Sequence, residues 1–291
     1  MNLNESSPFA NSMQQPYHTH ASLSIAGKVI LITGAYGLIG QTVSISFLDQ
    51  GAYIILADID TNKRPEVENV VSARFPEKQF LFQTLDITSE ISCANTVNAA
   101  VQKFGRLDVL INNAAIDAKF DAEQSAGKHN ARFENYPIAS LRNSVDVNLI
   151  GTIQITQQVC RQMLRQNAGN IINVASTYSL VAPNQTLYNF GDGQQQFKPV
   201  DYVASKSFIP NFTRYVATFY AREGIRCNAI VPHAIFNNHE TPFLENFARL
   251  SPMGRMCDRD ELTGPFTFLA SDASSYMTGS LLSVDGGWTA W

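Results

Sequence analysis

The chain has 291 residues, 45% of them apolar and 16% charged, enough to bury a sizeable core within one large domain. A formal charge of −4 and a pI near 5.7, with no local cluster of Lys or Arg, leave no electrostatic footprint for nucleic acid. No apolar run reaches the ~18 residues that a membrane span requires, so no membrane partner is expected.

Residues 1–24, rich in Asn, Ser, Gln and His and without sustained periodicity, read as a flexible N-terminal arm ahead of a domain over 25–291. The first basic residue is Lys28, so the arm lacks the charged start of a signal peptide. His18 and His20 in this polar stretch read as solvated, and no metal site is expected. Cys93, Cys160, Cys227 and Cys257 are widely spaced, which suits reduced thiols in a cytoplasmic protein better than a zinc site or a disulfide framework.

From Lys28 onward, short Val/Ile-rich runs alternate with longer stretches of helical period. Strands are predicted at Val29 to Thr33, Tyr53 to Asp58, Gln79 to Thr84, Asp108 to Asn112, Gly169 to Ala175, Ile225 to Val231 and Leu281 to Val284. Helices are predicted near Leu38 to Gln50, Pro65 to Phe75, Ser89 to Phe104, Ser140 to Arg165, Val200 to Arg222 and Arg259 to Ala270. Strands that are apolar throughout, rather than alternating, belong to a parallel sheet covered on both faces. The expectation is a single-domain, doubly wound α/β Rossmann fold with a seven-stranded parallel sheet. Ligands bind such sheets beyond the carboxyl ends of the strands, so the residues after each strand carry the function.

After the first strand comes Thr33-Gly34-Ala35-Tyr36-Gly37-Leu38-Ile39-Gly40. Gly34 and Gly37 permit a tight turn and close approach to a pyrophosphate, and Gly40 lets the helix pack against the strand. The N–H groups at the helix start then face the anion. Glycine-rich turns also occur without a ligand, but Asp58, ending the second strand about 20 residues on, stands where a carboxylate accepts hydrogen bonds from an adenosine ribose. Its charge repels a 2′-phosphate, which favours NAD over NADP, although Lys63 and Arg64 lie a few residues beyond. After the third and fourth strands come Asp86-Ile87 and Asn113-Ala114-Ala115. Asp86 either accepts from an adenine amino group or caps its loop, and the small residues let a flat ring lie against the backbone. Ile59 completes the expected cofactor contacts at the second strand.

Tyr202-Val203-Ala204-Ser205-Lys206 opens a helix, and the i,i+4 spacing puts phenol and ammonium on one face. A nearby ammonium favours the phenolate and lowers the Tyr pKa, while Ser176 after the fifth strand can hold a carbonyl or hydroxyl oxygen near the phenol. Tyr-x-x-x-Lys alone is a frequent surface spacing; the combination is what carries weight.

The glycine turn, Asn112-Asn113-Ala114-Ala115, Asp146-Val147-Asn148, the Ser176 strand end, Tyr202-x-x-x-Lys206 and Asp285-Gly286-Gly287 occur in the order that resembles the short-chain dehydrogenase/reductases, over residues 26–291. The resemblance implies Tyr202 as catalytic acid/base, Lys206 as its pKa modulator and nicotinamide-ribose ligand, Ser176 as substrate orienter and Asn148 as holder of a relay water. Val231-Pro232-His233-Ala234-Ile235 resembles the family's Pro-Gly turn, implying nicotinamide contacts from Pro232 and Ile235. His233 stands where that pattern has Gly and either adopts an allowed turn conformation or points its imidazole into the site. The family also implies pairing of the helices that carry Asn148 to Arg165 and Tyr202 to Arg222 into a homodimer or homotetramer. Two aromatics, Trp288 and Trp291, are expected to seek cover against a neighbour.

Polar inserts at Asp117 to Asn135, between Ser176 and Tyr202 (including Leu187 to Asp192), and at 236–255 as a substrate lid with a short helix, resemble those of flagellin modification protein A and of oxidoreductases of bacterial surface-sugar pathways. Arg132 to Asn135, Phe236 to Asn238, Ser251 to Met256 and Val284 to Trp291 carry that similarity. Arg132, Arg255, Asn237, Asn238, His239 and Tyr188, with His233, are candidate substrate contacts for a hydroxyl-rich, acidic molecule, although exposed loops are polar in any case. The expected activity is NAD-dependent interconversion of a secondary alcohol and a ketone on a sugar, sugar acid or nonulosonic-acid-type polyol. Alternatives are a simple hydroxy acid or 3-ketoacyl substrate and, outside enzymes, a non-catalytic dinucleotide-binding regulatory protein. The acid/base set argues against the last.

Overall fold

In the computed structural model the described residues are 22–117, 131–189 and 195–291. Most of the N-terminal arm with His18 and His20, most of the Asp117 to Asn135 insert, and the segment 190–194 lie outside them.

The chain order is β1 Val29–Thr33, α1 Leu38–Asp49, β2 Tyr53–Asp58, α2 Arg64–Arg74, β3 Phe80–Thr84, α3 Glu90–Phe104, β4 Val109–Asn112, α4 Ile138–Val145, α5 Thr152–Gln166, β5 Gly169–Val174, α6 Val200–Lys206, α7 Ile209–Tyr220, β6 Ile225–Pro232, α8 Thr241–Leu250, α9 Thr263–Ala270 and β7 Leu281–Val284. The strands form one 7-stranded sheet in the order β3-β2-β1-β4-β5-β6-β7, with each neighbouring pair parallel. The order reverses between β1 and β4, and a crevice opens there at the carboxyl edge.

The uniformly apolar strands follow from burial on both faces. In β1, Ile30 and Ile32 join one core with Val43 and Phe47 of α1 and Phe266 and Leu269 of α9. Val29 and Leu31 join the other, with Val97 of α3, Val159 and Met163 of α5 and Val216 of α7. Alternate residues of each strand therefore meet a different layer, and both sets must be apolar. The polar exceptions are paired: Asn112 Nδ2 donates to Asn173 Oδ1 and Thr156 Oγ1, both at 2.8 Å, and Asn173 Nδ2 donates to Thr213 Oγ1 at 2.9 Å. This chain of amides ties β4 to β5 and to helices on the covering layer.

Predicted strands agree with observed ones to within a residue at each end, but long helices do not stay whole. The helix expected over Ser140 to Arg165 begins at Ile138 and is interrupted by a π-helical turn at Asp146–Gly151. Two contacts enforce the turn. Thr152 Oγ1 donates to the Asn148 carbonyl at 2.8 Å, and Gly151 packs so closely on Ile87 that a Cβ would lie 2.7 Å from Ile87 Cγ1. The helix expected over Val200 to Arg222 divides at Ser207–Phe208 because Pro210 has no N–H to donate back along the helix. Likewise the helix expected over Arg259 to Ala270 starts as a 3₁₀ turn, Arg259–Leu262, fixed by a capping box between Asp258 and Glu261. Among the described residues no helix is long and apolar enough to cross a membrane.

The glycine turn shows where side chains are forbidden. A Cβ on Gly40 would fall onto the Gly34 carbonyl oxygen and within 2.8 Å of Ala35 Cα, whereas one on Gly37 would meet only Gly34 O at 3.5 Å. Gly40→Ala is expected to lower the unfolding free energy by about 1–3 kcal/mol through overpacking. Gly37→Ala should leave the urea midpoint close to that of the natural chain, and equal midpoints for both variants would refute this account of the turn.

Candidate active site

The residues after β1, β2, β3, β4, β5 and β6 meet in one cavity of about 1100 Å³ at the carboxyl edge of the sheet. Gly34 takes φ +65°, and a Cβ there would sit 2.8 Å from Ala114 Cα. The β1 turn and the end of β4 thus touch backbone to backbone, which only glycine permits. Asn113 secures the junction by donating Nδ2 to the Thr33 and Gly34 carbonyls at 3.0 and 2.9 Å. α1 starts at Gly37, which offers no side-chain cap, so its first N–H groups open toward the cavity. Asp58 lines the same space. Its Oδ2 accepts from the Tyr36 N–H and its Oδ1 from the Asp60 N–H, both at 2.9 Å, which fixes the carboxylate beside the turn.

Most of the sequence-predicted cofactor residues are gathered here: Gly34, Gly37, Leu38, Ile39, Asp58, Ile59, Asp86, Ile87, Asn113, Ala114, Ala115, Tyr202 and Ile235 all line the cavity. Three do not. The Tyr36 ring is buried against Phe82 in the core, so Tyr36 faces Asp58 only through its backbone. Pro232 is buried at the end of β6, paired with Val284. Lys206 lies behind the wall, 6% exposed, with Nζ donating to the Val174 carbonyl at 2.8 Å. For Asp86, the loop-capping reading is seen directly, since its Oδ1 accepts from the N–H and hydroxyl of Thr88 at 2.9 and 2.7 Å.

The phenol of Tyr202 reaches the cavity beside Ser176, whose hydrogen bond favours the phenolate. The expectation that a nearby ammonium would dominate and lower the Tyr202 pKa is not met. Burial raises it above the usual tyrosine value, with the Asp117 carboxylate adding to the rise. Burial also pulls Lys206 down to about 8, against the opposing pull of Asp117. Desolvation outweighs the neighbours here because the pair sits in dry surroundings. Asn148, 3% exposed, has both side-chain atoms engaged: Oδ1 accepts from the Ile116 N–H, and Nδ2 donates to the Ile116 carbonyl and to Ser205 Oγ, at 2.8 to 2.9 Å. It clamps the segment after β4 to the helix that bears Tyr202.

Of the candidate substrate residues, His233, Tyr188, Asn237, Asn238 and His239 line the cavity, but Arg132 and Arg255 do not. Arg132 donates to Glu134 at 2.7 Å and stacks over Phe197. Arg255 pairs with Glu261 at 2.7 and 2.8 Å, which holds that carboxyl down at about 2. Each arginine found a carboxylate a few residues away, which needs less ordering of the chain than a turn into the cavity. Residues 236–255 contain the expected short helix, α8, and the cavity wall there is aromatic: Phe243 stacks on His239 at 5.0 Å, and Tyr188 lies 5.9 Å from Phe243.

His233 points inward. Its Nδ1 shares a 2.6 Å hydrogen bond with the Thr177 hydroxyl, and its ring packs on Trp288 at 4.2 Å and Phe247 at 5.4 Å. The backbone strain falls instead on the next residue, Ala234, at φ 43°. Trp288 is therefore used within the chain rather than left for a neighbour, while Trp291 is 83% exposed. Sequence reasoning missed Thr177, Tyr178, Phe243, Phe247 and Lys198. Lys198 alone carried a signal, standing four residues before Tyr202 as Lys206 stands four after.

A family model described as enoyl-(acyl carrier protein) reductase matches residues 34–289. A 3-oxoacyl-acyl-carrier-protein reductase of Thermotoga maritima is 31% identical over 274 residues, covering 91% of this chain and 99% of its own. A 2-dehydro-3-deoxy-D-gluconate 5-dehydrogenase of Dickeya dadantii is 30% identical over 276 residues, covering 92% and 98%. The post-translational flagellin modification protein A of Campylobacter coli is 28% identical over 267 residues, covering 91% and 99%. Among solved structures, a short-chain dehydrogenase from Leptospira borgpetersenii with bound NAD+ superposes with TM-score 0.77 at 29% identity, over 94% of this chain and 100% of the other. The chain belongs to the short-chain dehydrogenase/reductase family and is an oxidoreductase of that class. Its relatives include enzymes named for an acyl-carrier substrate, for sugar acids and for cyclic alcohols or ketones such as borneol and levodione.

Burial holds His233 neutral down to about pH 4, with Asp285 opposing the shift, whereas an unfolded imidazole takes up a proton near pH 6.5. The unfolded state therefore binds the proton first, and stability falls as pH drops from 6.5 to 4. Relative to His233→Gln, the natural chain is expected to lose on the order of 3 kcal/mol across that window and nothing above it. Parallel pH–stability curves for the two proteins, from urea melts, would show that His233 is not buried as described.

Proposed function

We propose that this protein uses NAD to interconvert a secondary alcohol and a ketone on a sugar, sugar acid or nonulosonic-acid-type polyol. The observation that carries the reading is the convergence of Tyr202, Ser176 and the Asp58 carboxylate on one cavity lined by the β1 turn. The residues fit a dinucleotide. The bare glycines of the turn leave its backbone open to a pyrophosphate, the small Ala114 and Ala115 leave room for a flat ring, and in this reading the Asp58 carboxylate suits a ribose hydroxyl better than a 2′-phosphate, with Lys63 on the same wall opposing that preference. A bound nicotinamide supplies the hydride acceptor or donor at the substrate carbon.

The chain's own residues handle the oxygen. In the oxidative direction Tyr202 accepts the hydroxyl proton as the carbonyl forms, and in the reductive direction it returns the proton. The Ser176 hydroxyl holds the same oxygen near the phenol. Lys206, anchored on the Val174 carbonyl, stabilises the phenolate, and a relay water between Lys206 and the main-chain carbonyl of Asn148, whose side chain is already engaged, completes the proton path in this reading. Asn237, Asn238 and His239 face the cavity with hydrogen-bonding groups, and Tyr188 and Phe243 offer flat apolar faces. Together they suit a ring that bears hydroxyls on its edge and C–H groups on its face. A second reading, a 3-ketoacyl substrate, draws on Leu187, Phe243 and Met256 along the same wall and on the Thermotoga relative.

Absorbance at the reduced-nicotinamide band with NAD or NADP and separate pools of sugar acids, polyols and 3-ketoacyl thioesters tests the reading. NAD-linked turnover of a polyol or sugar acid is expected, and turnover confined to thioesters would select the second reading. Tyr202→Phe is expected to lower kcat by about 10²- to 10⁴-fold with NAD binding retained, the range for loss of a general acid/base. Turnover unchanged in that variant would defeat the mechanism.

The same reading includes assembly as a homodimer or homotetramer acting in the cytoplasm. Tyr215 and Phe219, an i,i+4 pair in ring contact on α7, are 62% and 57% exposed, and Ile150 and Leu164 are 47% and 38% exposed along the π turn and α5. Sedimentation at micromolar concentration is expected to give twice or four times the 32.1 kDa chain mass, and a monomer would exclude this arrangement.

A further inference from the structure

Tyr202 is bracketed by two lysines that reach it by different routes. Lys206 follows it by one helical turn on α6. Lys198 precedes Pro199, the residue that starts α6, so it lies in extended chain and comes to the ring from outside the helix. Its Nζ stands 4.1 Å from the Tyr202 ring centroid, well inside the ~6 Å reach of a cation–π contact. The Lys198 side chain is 7% exposed, and Asp117, in the segment after β4, holds it through both carboxylate oxygens at 2.6 and 2.7 Å. Both residues line the cavity.

Among the described residues, the polar and titratable groups around Tyr202 are Lys206 and Asp201 on its own helix, Ser176 and Tyr178 after β5, Tyr188 beyond them, and the Lys198–Asp117 pair. Lys198 alone faces the flat of the ring as a cation. A charge there is attracted modestly to the π face of a neutral phenol and far more strongly to a phenolate, whose negative charge spreads into the ring. Lys198 is buried, so that difference is little screened, while the Asp117 carboxylate beside it acts in the opposite sense and raises the Tyr202 pKa.

We propose that Lys198 is a positioning residue for Tyr202, a second cation that favours the phenolate from the ring face while Asp117 holds it there and tempers its field. The inference rests on the reading of Tyr202 as acid/base. It adds to the Tyr202–Lys206 pair a control element that comes from the insert between Ser176 and Tyr202, so the strength of the base is set partly by a loop that also walls the substrate.

The test is a phenolate titration by difference absorbance on the NAD-saturated full chain, with the corresponding Tyr202→Phe protein subtracted so that only Tyr202 is read. Lys198→Met is expected to leave about tenfold less phenolate at a fixed pH below the transition. Lys198→Arg, which keeps the cation, should stay within about twofold, and Asp117→Asn should increase the phenolate. A Lys198→Met curve that coincides with the natural chain's, or shifts of the same sign in Lys198→Met and Asp117→Asn, would overturn the proposal and leave the pair as a strut between two loops. If Lys198→Met does not fold, Lys198→Gln, which also removes the cation, is expected to show the same loss of phenolate, and a curve that coincides with the natural chain's overturns the proposal. The acid/base reading fails separately, by unchanged turnover in Tyr202→Phe, which leaves the titration itself untouched.

Discussion

The close approach of Gly34 to Ala114 is the constraint from which the rest of the site follows. It joins the turn after β1 to the end of β4, the two strands between which the sheet reverses direction. Because the backbones touch, the crevice has a fixed floor. From that floor the chain after β4 runs to Ile116, which Asn148 grips, and to Asp117, which holds Lys198. The glycine turn and the surroundings of Tyr202 are therefore joined through one stretch of backbone.

Dryness sets the electrostatics of this region. Tyr202, Lys206 and His233 are all shifted toward their neutral forms, and burial is the largest cause in each. Charges that remain are paired at close range, as Lys198 is with Asp117. A proton moved between such groups is governed chiefly by the few that touch it. This also explains the polar clamps around the site. Asn148, Asn113 and Thr177 each bond to backbone or to another side chain and so brace the cavity wall, while His233 Nε2 has no partner among the described residues.

Much of this was legible in the sequence because it is local. Strands buried on both faces read as unbroken apolar runs, and the glycine turn, Asp58 and Tyr202-x-x-x-Lys206 are fixed by spacing within one turn or one strand–helix unit. What was not legible depends on competition between distant partners. Arg132 and Arg255 looked suited to a substrate carboxylate, but Glu134 and Glu261 lay nearer. Trp288 looked like an interface residue, but His233 and Phe247 offered it a stacked place within the chain. His233 itself could be flagged as unusual, yet only packing decided that its ring turns inward and that Ala234 takes the strained backbone angle. The breaks in the long helices were half visible: Pro210 marks one, while the π turn at Asp146–Gly151 packs on Ile87 in a contact that no periodicity contains.

The reversal of strand order has a consequence for how the protein acquires activity. β1, β2 and β3 join through local crossovers, but β4 must return to pair with β1, bringing together groups such as Gly34 and Asn113 that are 79 residues apart. Closing a loop of that length costs on the order of 4 kcal/mol in chain entropy before any contact compensates. The glycine turn follows β1 and Tyr202 stands beyond β5, so the two lie on opposite sides of that closure, and the site is complete only once the central pair of strands has formed.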